Sequence, residues 1–430
     1  MTTASPTLSI AALAALVLAT GVRGKHDRDE AFSSTDRWSL RADRSGDVTG
    51  DVSGDVSGVV FEDANGNGTR DRGERGVPGV AVSDQVQVVV TTADGAFLLR
   101  DSHRYGVVFV SVPDGRASVG PFWRAVRGGS AAPVAFALTR EEAPGDFTFV
   151  HSSDTHVSER SLPRLRRLRA LVDSLGPAFV LVTGDLVRDA LRVPEAEATE
   201  YYRLFQTEAR RFRVPVWTVP GNHEIFGIER QQSGVRRDHP LYGRAMYRRF
   251  FGPDYYSFTY GGVHFVGLNT VDYDDQWYYG HVDSTQRAWL ERDLALVPAG
   301  TAVVTFNHIP FVSAAEELNG YTDAPPAPSL ITVGGRTMFR HTVSNAGEVL
   351  AQLRAHHHVL ALGGHMHMRE TLVYQTTSGP TRFHQAAAIV SDSKAAGMEM
   401  ASGLTLYRVR SGVVDEGTFV PLGALPAEPR

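Results

Sequence analysis

Short hydrophobic runs separated by turn residues dominate the stretch from residue 58 to residue 140. Dipeptides with a strong turn preference, such as Pro78-Gly79 and Asp94-Gly95, interrupt the runs. The runs lie at residues 59–61, 80–82, 86–91, 96–100 and 105–112. Short strands with frequent turn signals are typical of antiparallel sheets that pack face to face. The pattern therefore predicts a small all-β sandwich domain over residues 58–140.

After Pro144-Gly145, hydrophobic runs alternate with stretches of helical periodicity. Five leucines recur at helical spacing between Leu162 and Leu175, and Gly176-Pro177 gives a stop signal, so this stretch is predicted as a helix. Further helices are predicted at residues 195–212, 286–297 and 346–355, and terminal strands at residues 370–375, 381–387, 403–410 and 412–420. Residues 311–340 show little periodicity and are predicted as a long loop. The pattern predicts an α/β (α+β) domain over residues 145–425, with two mixed sheets packed between helices.

The N-terminal 57 residues differ from both of these parts. Residues 8–19 form an apolar run of signal-peptide length, too short for a membrane span of about 20 residues. We expect residues 1–21 to direct export, which predicts a secreted or otherwise extracytoplasmic protein with no transmembrane helix after signal removal. No Lys or Arg precedes the run and no clear cleavage site follows it, so an uncleaved anchor or a plain apolar tail stays open. Residues 22–57 are polar, with Gly-Asp-Val repeated, and are predicted as a linker.

Composition limits the chemistry that the chain can use. None of the 430 residues is a cysteine, which excludes disulfides, thiolate metal sites and cysteine nucleophiles. The formal net charge of -5 gives no reason to expect a nucleic-acid polymer as a partner. Any metal must be held by His, Asp, Glu or Asn, ligands that suit Zn, Mn or Fe.

Five segments carry such ligands, and each follows a predicted strand. They are Asp154-Thr155-His156, Gly184-Asp185, Gly221-Asn222-His223-Glu224, Asn307-His308 and Gly363-Gly364-His365-Met366-His367. Ligands of α/β proteins collect beyond the carboxyl ends of the strands, so the five segments are expected to converge on one site.

Taken together and in this order, the five segments resemble the calcineurin-like metallophosphoesterases, and the resemblance covers roughly residues 146–422. The resemblance implies a four-layer αββα sandwich that binds two divalent metal ions, Mn, Zn or Fe, and hydrolyses a small phosphate ester with water as nucleophile. The position three residues after Asp185 is Arg188, whereas purple acid phosphatases carry a tyrosine there, so an Fe(III) charge-transfer site is not expected. Phosphodiesterase and phosphomonoesterase activities both stay open.

The same resemblance assigns roles to the site residues. One metal would be bound by Asp154, His156, Asp185 and His367, and the other by Asp185, Asn222, His308 and His365. His223 would be the general acid or stabilise the transition state, and Glu224 would orient its imidazole and raise its pKa. His281 and His341 have no spacing that ties them to the site, although either can reach it from a loop.

A loop in the predicted sandwich carries a second candidate metal site. Residues 63–74 satisfy the calcium-loop pattern D-x-[DN]-x-[DN]-G-x₅-E, with a glycine at the sharp turn. The oxygen ligands would come from Asp63, Asn65, Asn67, Thr69, Asp71 and Glu74. The surrounding stretch resembles the prealbumin-like repeats of bacterial surface proteins, which implies one Ca²⁺; a polar turn without metal is the alternative. A surface-binding protein, with the phosphoesterase fold as an inactive scaffold, is therefore the competing function.

Overall fold

The structure is a computed structural model that describes residues 54–423 except 103–104, 127–131, 143, 323–327, 377–378 and 396. The expected export signal (1–21) and most of the expected linker (22–57) lie outside the described residues. The first strand begins at Val56, inside the stretch predicted as linker. All described residues belong to one compact unit. Among the helices described, none is long and apolar enough to cross a membrane.

Residues 56–140 form two four-stranded sheets. The strands are β1 (Val56–Glu62), β2 (Ala81–Ser83), β3 (Val88–Val90), β4 (Ala96–Leu99), β5 (Val107–Val110), β6 (Arg116–Ser118), β7 (Trp123–Ala125) and β8 (Val134–Arg140). Their orders are β4-β1-β8-β6 and β3-β2-β5-β7. The pairing is not antiparallel throughout, because β1 and β8 run parallel.

Two six-stranded mixed sheets form the centre of the larger part of the chain, which confirms the prediction of two mixed sheets. The first contains β9 (Asp146–Ser152), β10 (Phe179–Thr183), β11 (Val216–Val219), β24 (Gly403–Arg410), β25 (Val413–Val414) and β26 (Thr418–Pro421). The second contains β12 (Tyr256–Tyr260), β13 (Val263–Gly267), β16 (Ala302–Phe306), β19 (His357–Gly363), β20 (Glu370–Thr376) and β21 (Gly379–Gln385). Strands β9, β10 and β11 are parallel, as are β13, β16, β19 and β21.

Short hairpins and helices complete the chain. The hairpins are β14 (Val271–Asp274) with β15 (Trp277–Gly280), β17 (Leu330–Val333) with β18 (Arg336–Phe339), and β22 (Ser393–Ala395) with β23 (Met398–Met400). The helices are α1 (Leu162–Leu175), α2 (Glu195–Ala209), α3 (Arg230–Ser233), α4 (Ala245–Phe251), α5 (Ser284–Leu294), α6 (Ala315–Asn319) and α7 (Ala346–Arg354), with a 3₁₀ turn at Asn222–Glu224. The stretch predicted as the loop 311–340 therefore contains a helix and a hairpin. The predicted last strand, 412–420, is two strands, β25 and β26, separated by residues 415–417.

The four layers follow from strands that are apolar on both faces. In β10, Phe179 and Leu181 face the second sheet, while Val180 and Val182 face the helices. Phe179 packs edge-on against Phe258 of β12, with ring centroids 5.4 Å apart. Helices α1 and α2 cover the outer face of the first sheet, and α5 and α7 cover that of the second. The order of layers is helix, sheet, sheet, helix.

The N-terminal sheets share a continuous core with the larger part of the chain. Phe122 packs against Trp217 of β11, with ring centroids 5.1 Å apart. Gln85 donates from Nε2 to the buried carboxylate of Asp254 at 2.9 Å. The predicted sandwich therefore packs against the larger part of the chain through both apolar and polar contacts.

Candidate metal centre

The candidate ligands lie at the carboxyl ends of five strands from the two central sheets. Asp154 follows β9, Asp185 follows β10 and Asn222 follows β11, all in the first sheet. His308 and His365 follow β16 and β19 of the second sheet. Because the strands are parallel within each sheet, their ends lie on one side of the molecule. Both sheets therefore contribute ligands to the same site.

Left-handed backbone turns direct the ligands inward. Asp154, His156, Asp185, His365 and His367 all have positive φ, between 37° and 71°. They are five of the nine non-glycine residues with positive φ in the described ranges, a conformation that costs energy and clusters at functional sites. An extended backbone from Asp154 to His156 would also direct these two side chains to one face, but both residues have positive φ and the backbone is not extended there. The sharp turns at these five residues, and not strand alternation, explain why their side chains meet.

Two groups of side chains can each hold a metal ion. The first ligand cluster contains Asp154, His156, Asp185 and His367, and the second ligand cluster contains Asp185, His308 and His365. Within each cluster the candidate ligand atoms lie within 4.8 Å of one another. The Asn222 amide joins the second cluster, since its Oδ1 lies 3.1 Å from His308 Nε2. Asp185 belongs to both clusters and is the carboxylate able to bridge two ions.

Several atoms in the clusters fit bound cations. Asp154 Oδ1 is buried and accepts no hydrogen bond of good geometry, although His367 Nε2 lies 3.2 Å from it. The Nε2 atoms of His156 and His367 face each other at 3.1 Å, where two neutral acceptors would repel unless one is protonated or a cation lies between them. His308 donates from Nδ1 to the Thr183 carbonyl at 2.7 Å, which leaves its Nε2 free to bind a metal. Imidazole and carboxylate donors of this kind suit divalent Zn, Mn or Fe.

The site concentrates opposite charges in a buried volume. Burial alone would raise the pKa of Asp185, but the imidazoles of His308 and His223 hold it well below its usual range. Burial would lower the pKa of His308, yet the Asp185 carboxylate raises it to about 9. Burial and the neighbouring His223 lower the pKa of His156 to about 4. Strong shifts in both directions within one cleft are typical of active sites.

His223 lies at the edge of the first ligand cluster without belonging to it. Its ring stands perpendicular to that of His156, with centroids 4.5 Å apart, and its Nε2 lies 3.8 Å from Asp185 Oδ2. Its backbone N–H donates to Asp185 Oδ1 at 2.9 Å. Its Nδ1 lies 2.5 Å from the Arg188 carbonyl oxygen, which can only accept, so Nδ1 carries a proton and Nε2 faces the site.

The predicted pairing of Glu224 with His223 is wrong. Glu224 is fully buried, and its carboxylate accepts hydrogen bonds from the backbone N–H groups of Gly221 at 2.6 Å and Val187 at 2.9 Å. Burial raises the pKa of Glu224 to about 8, and the charge of Asp185 adds to the rise. The Arg188 carbonyl orients the imidazole instead, and Glu224 joins the loop after β11 to the loop after β10.

His341 lies beside the second ligand cluster, although its position in the sequence gave no reason to place it there. Its Nδ1 is 2.8 Å from His365 Nε2, and the two rings stack with centroids 5.0 Å apart. No local pattern marks it, because the contact depends on how the β17–β18 hairpin folds back. By contrast, His281 pairs with Asp272, and His264 pairs with Asp293.

The predicted calcium loop is closed by hydrogen bonds within itself. Asp63 accepts from the backbone N–H groups of Gly66 and Gly68, and Asn65 and Asn67 donate to Asp71 Oδ2. Glu74 accepts from the backbone N–H groups of residues 64 and 71. Within the described ranges, the two clusters above are the groups of three or more His, Asp or Glu side chains close enough to hold a metal. Calcium binding at residues 63–74 stays a prediction.

Comparison with known proteins gives three further findings. Serine/threonine-protein phosphatase CPPED1 of Pongo abelii is 28% identical over 184 residues, and that of Homo sapiens is 27% identical over 183 residues. Each alignment covers 40% of this chain and 55% of the relative, so the chain spans about half the length of the curated relatives it matches.

Among solved structures, a dimetal phosphatase from Danio rerio aligns with a TM-score of 0.42 and 16% identity, covering 64% of this chain and 99% of that one. PhoD aligns with a TM-score of 0.43 and 13% identity, covering 83% and 84%. Likenesses of this size do not bear on function. The sequence profile of the calcineurin-like phosphoesterase family matches residues 147–369, which is more than half of the chain and includes both ligand clusters. The chain therefore belongs to the calcineurin-like phosphoesterase family.

Proposed function

We propose that the protein hydrolyses small phosphate esters with two divalent metal ions, Mn, Zn or Fe. The observation that carries this proposal is the position of Asp185, whose carboxylate belongs to both ligand clusters. One buried carboxylate between two sets of imidazoles is the arrangement that a two-metal site needs. The names of the curated relatives favour a phosphomonoester as substrate, while the two clusters themselves serve a monoester or a diester equally well.

The protein's own residues divide into ligands and a proton donor. Asp154, His156 and His367 would complete the first metal site, and Asn222, His308 and His365 the second. When bound, the ions would neutralise the phosphate oxygens and lower the pKa of the attacking water. The buried loops hold the ligands in place before substrate arrives, so binding costs little rearrangement.

His223 is suited to donate a proton to the leaving oxygen. Its Nδ1 is held by the Arg188 carbonyl, so Nε2 points towards Asp185 and the site. Its side chain is 23% exposed, which leaves it accessible to a substrate, whereas His308 is fully buried. A positioned histidine of this kind contributes about 10²- to 10⁴-fold to the rate.

The test uses the full chain, because the N-terminal sheets share its core. We would measure metal content by elemental analysis and hydrolysis of p-nitrophenyl phosphate and bis(p-nitrophenyl) phosphate with Mn, Zn or Fe supplied. Asp185→Asn is the test variant, and Asp238→Asn, an exposed residue paired with Arg236, is the matched control. We expect turnover by the wild type and the control but not by Asp185→Asn. Folded wild-type protein without metal and without turnover would favour the surface-binding alternative.

We also propose that residues 58–140 form a prealbumin-like domain whose 63–74 loop binds one Ca²⁺, and that the protein is exported. The order of oxygen-bearing side chains in the loop and its exposure support the calcium site. Binding of Ca²⁺ measured by calorimetry should be lost in Asp63→Asn. Export is tested by cell fractionation of the full chain against one lacking residues 1–21; equal distribution of the two would refute it.

A further inference from the structure

Arg340 is a buried cation with unused hydrogen-bond donors. It is 4% exposed, and its Nε and Nη1 are buried without an acceptor. Among the residues described, no carboxylate lies within 4.0 Å of its guanidinium, whereas the partly buried Arg244 and Arg248 pair with Asp272 and Asp254 at 2.6 and 2.8 Å. A buried charge without a partner is destabilising by several kcal/mol. A fold that retains an unpaired buried charge is expected to use that charge in its function. An anionic ligand would supply the partner that the Arg340 guanidinium lacks.

The guanidinium lies close to the second ligand cluster. It sits 4.3 Å above the ring of Tyr278, and that ring contacts His365 edge-on with centroids 5.8 Å apart. These two distances together place it within about 10 Å of the His365 ring. The next residue, His341, contacts His365 directly. Arg340 is thus next to the second cluster, while His223 borders the first.

Backbone contacts fix the segment that carries Arg340. Its N–H donates to the Ser329 carbonyl at 2.8 Å, and the N–H of Val343 donates to the Pro310 carbonyl at 3.0 Å, two residues after His308. The same segment packs tightly against Gly280 of β15. A side-chain Cβ at position 280 would lie only 2.0 Å from the Thr342 carbonyl oxygen. The rings of Tyr278 and Trp277 lie 4.3 and 5.5 Å from the guanidinium carbon, while Nε and Nη1 on its edge keep no acceptor. A fixed planar fork of this kind binds carboxylates and phosphates with two hydrogen bonds.

We propose that Arg340 binds a second anionic group of the substrate, so that the preferred substrate is a small phosphate ester carrying a carboxylate or a second phosphate. This inference rests on the proposed function and narrows its substrate class. Arg340 acts as a specificity-determining residue, and the scissile phosphate is left to the two ligand clusters.

The experiment compares three propyl esters on the Mn-loaded full chain: n-propyl phosphate, 3-phosphonooxypropanoate and propane-1,3-diyl bisphosphate. The variants are Arg340→Gln and Arg340→Lys, with Arg336→Gln, an exposed arginine of the same hairpin, as matched control. We expect the wild type and the control to prefer one or both of the substrates that carry a second anionic group by about 10- to 100-fold in kcat/KM, as fits two charge-assisted hydrogen bonds. Arg340→Gln should lose this preference through KM, and Arg340→Lys should keep part of it. The ester that is preferred identifies the second group as carboxylate or phosphate.

A binding measurement keeps the proposal testable without turnover. Calorimetry should show that the wild type binds pyrophosphate at least about 10-fold more tightly than orthophosphate, and that Arg340→Gln loses this difference. The melting temperature of Arg340→Gln should be no lower than that of the wild type, because the unpaired buried charge is gone. The proposal would be overturned if the wild type hydrolysed all three esters with equal kcat/KM. It would also be overturned if Arg340→Gln lowered kcat/KM equally for all three esters. Absence of any ester hydrolysis by the wild type would instead refute the proposed function.

Discussion

Replacing Glu224 by Ala should destabilise the protein and impair the site together. The substitution removes the acceptor of two backbone N–H groups, those of Gly221 and Val187, in a fully buried place. Each buried donor left without a partner costs about 1–3 kcal/mol, so we expect the loss of two partners to lower the free energy of unfolding by about 2–6 kcal/mol. Asn222 and His223 lie on the same turn, so metal affinity and kcat/KM should fall as well.

Urea unfolding followed by tryptophan fluorescence measures this loss. Glu224→Gln retains one acceptor oxygen, so its free energy of unfolding should fall by about half as much as that of Glu224→Ala. Glu200→Ala, at an exposed position of α2, is the control and should change the free energy of unfolding by less than about 0.5 kcal/mol. A Glu224→Ala variant of wild-type stability, with only a shifted pH–rate profile, would refute the positioning role and restore the idea that Glu224 tunes His223.

Three further predictions concern the ligands and the interface. Asp185→Asn should reduce bound metal, measured by elemental analysis, from about two ions to fewer than one per chain, since both clusters lose the shared carboxylate. His223→Asn should retain both ions but lose about 10²- to 10⁴-fold in kcat; loss of metal instead would make His223 a ligand. Asp254→Asn breaks a buried pair with Arg248 at 2.8 Å and should cost about 3–5 kcal/mol of stability by urea unfolding. Burial raises the pKa of the Asp254 carboxyl, but the charge of Arg248 outweighs the effect of burial and holds this pKa below its usual range. The stability that the pair contributes to the wild type should therefore be lost as pH falls below about 4.

The layer architecture was predictable because its causes are local. The leucines of α1 recur at helical spacing, and Leu165 and Leu168 are buried against the first sheet. β10 is buried at every position and apolar from residue 179 to residue 182, as expected for a strand covered on both faces. The candidate ligands were found for a similar reason, since each follows a hydrophobic run and parallel strands end on one side of their sheet.

Features that depend on distant contacts were not predictable. His341 contacts the second ligand cluster, and Arg340 lies near it, only because the β17–β18 hairpin folds back, with the Val343 N–H bonded to the Pro310 carbonyl. The direction of the Glu224 side chain depends on the loop after β10, which supplies the Val187 N–H. A single sequence shows which residues follow a strand, but not which loop from elsewhere lies opposite them.

An anomalous-difference map of the Mn- or Zn-loaded full chain would show whether Asp185 bridges two metal ions. We expect two peaks, one on each side of Asp185. The first should lie among Asp154, His156 and His367, and the second among Asn222, His308 and His365. A single peak, or two peaks that do not share Asp185, would contradict a bridged dinuclear centre.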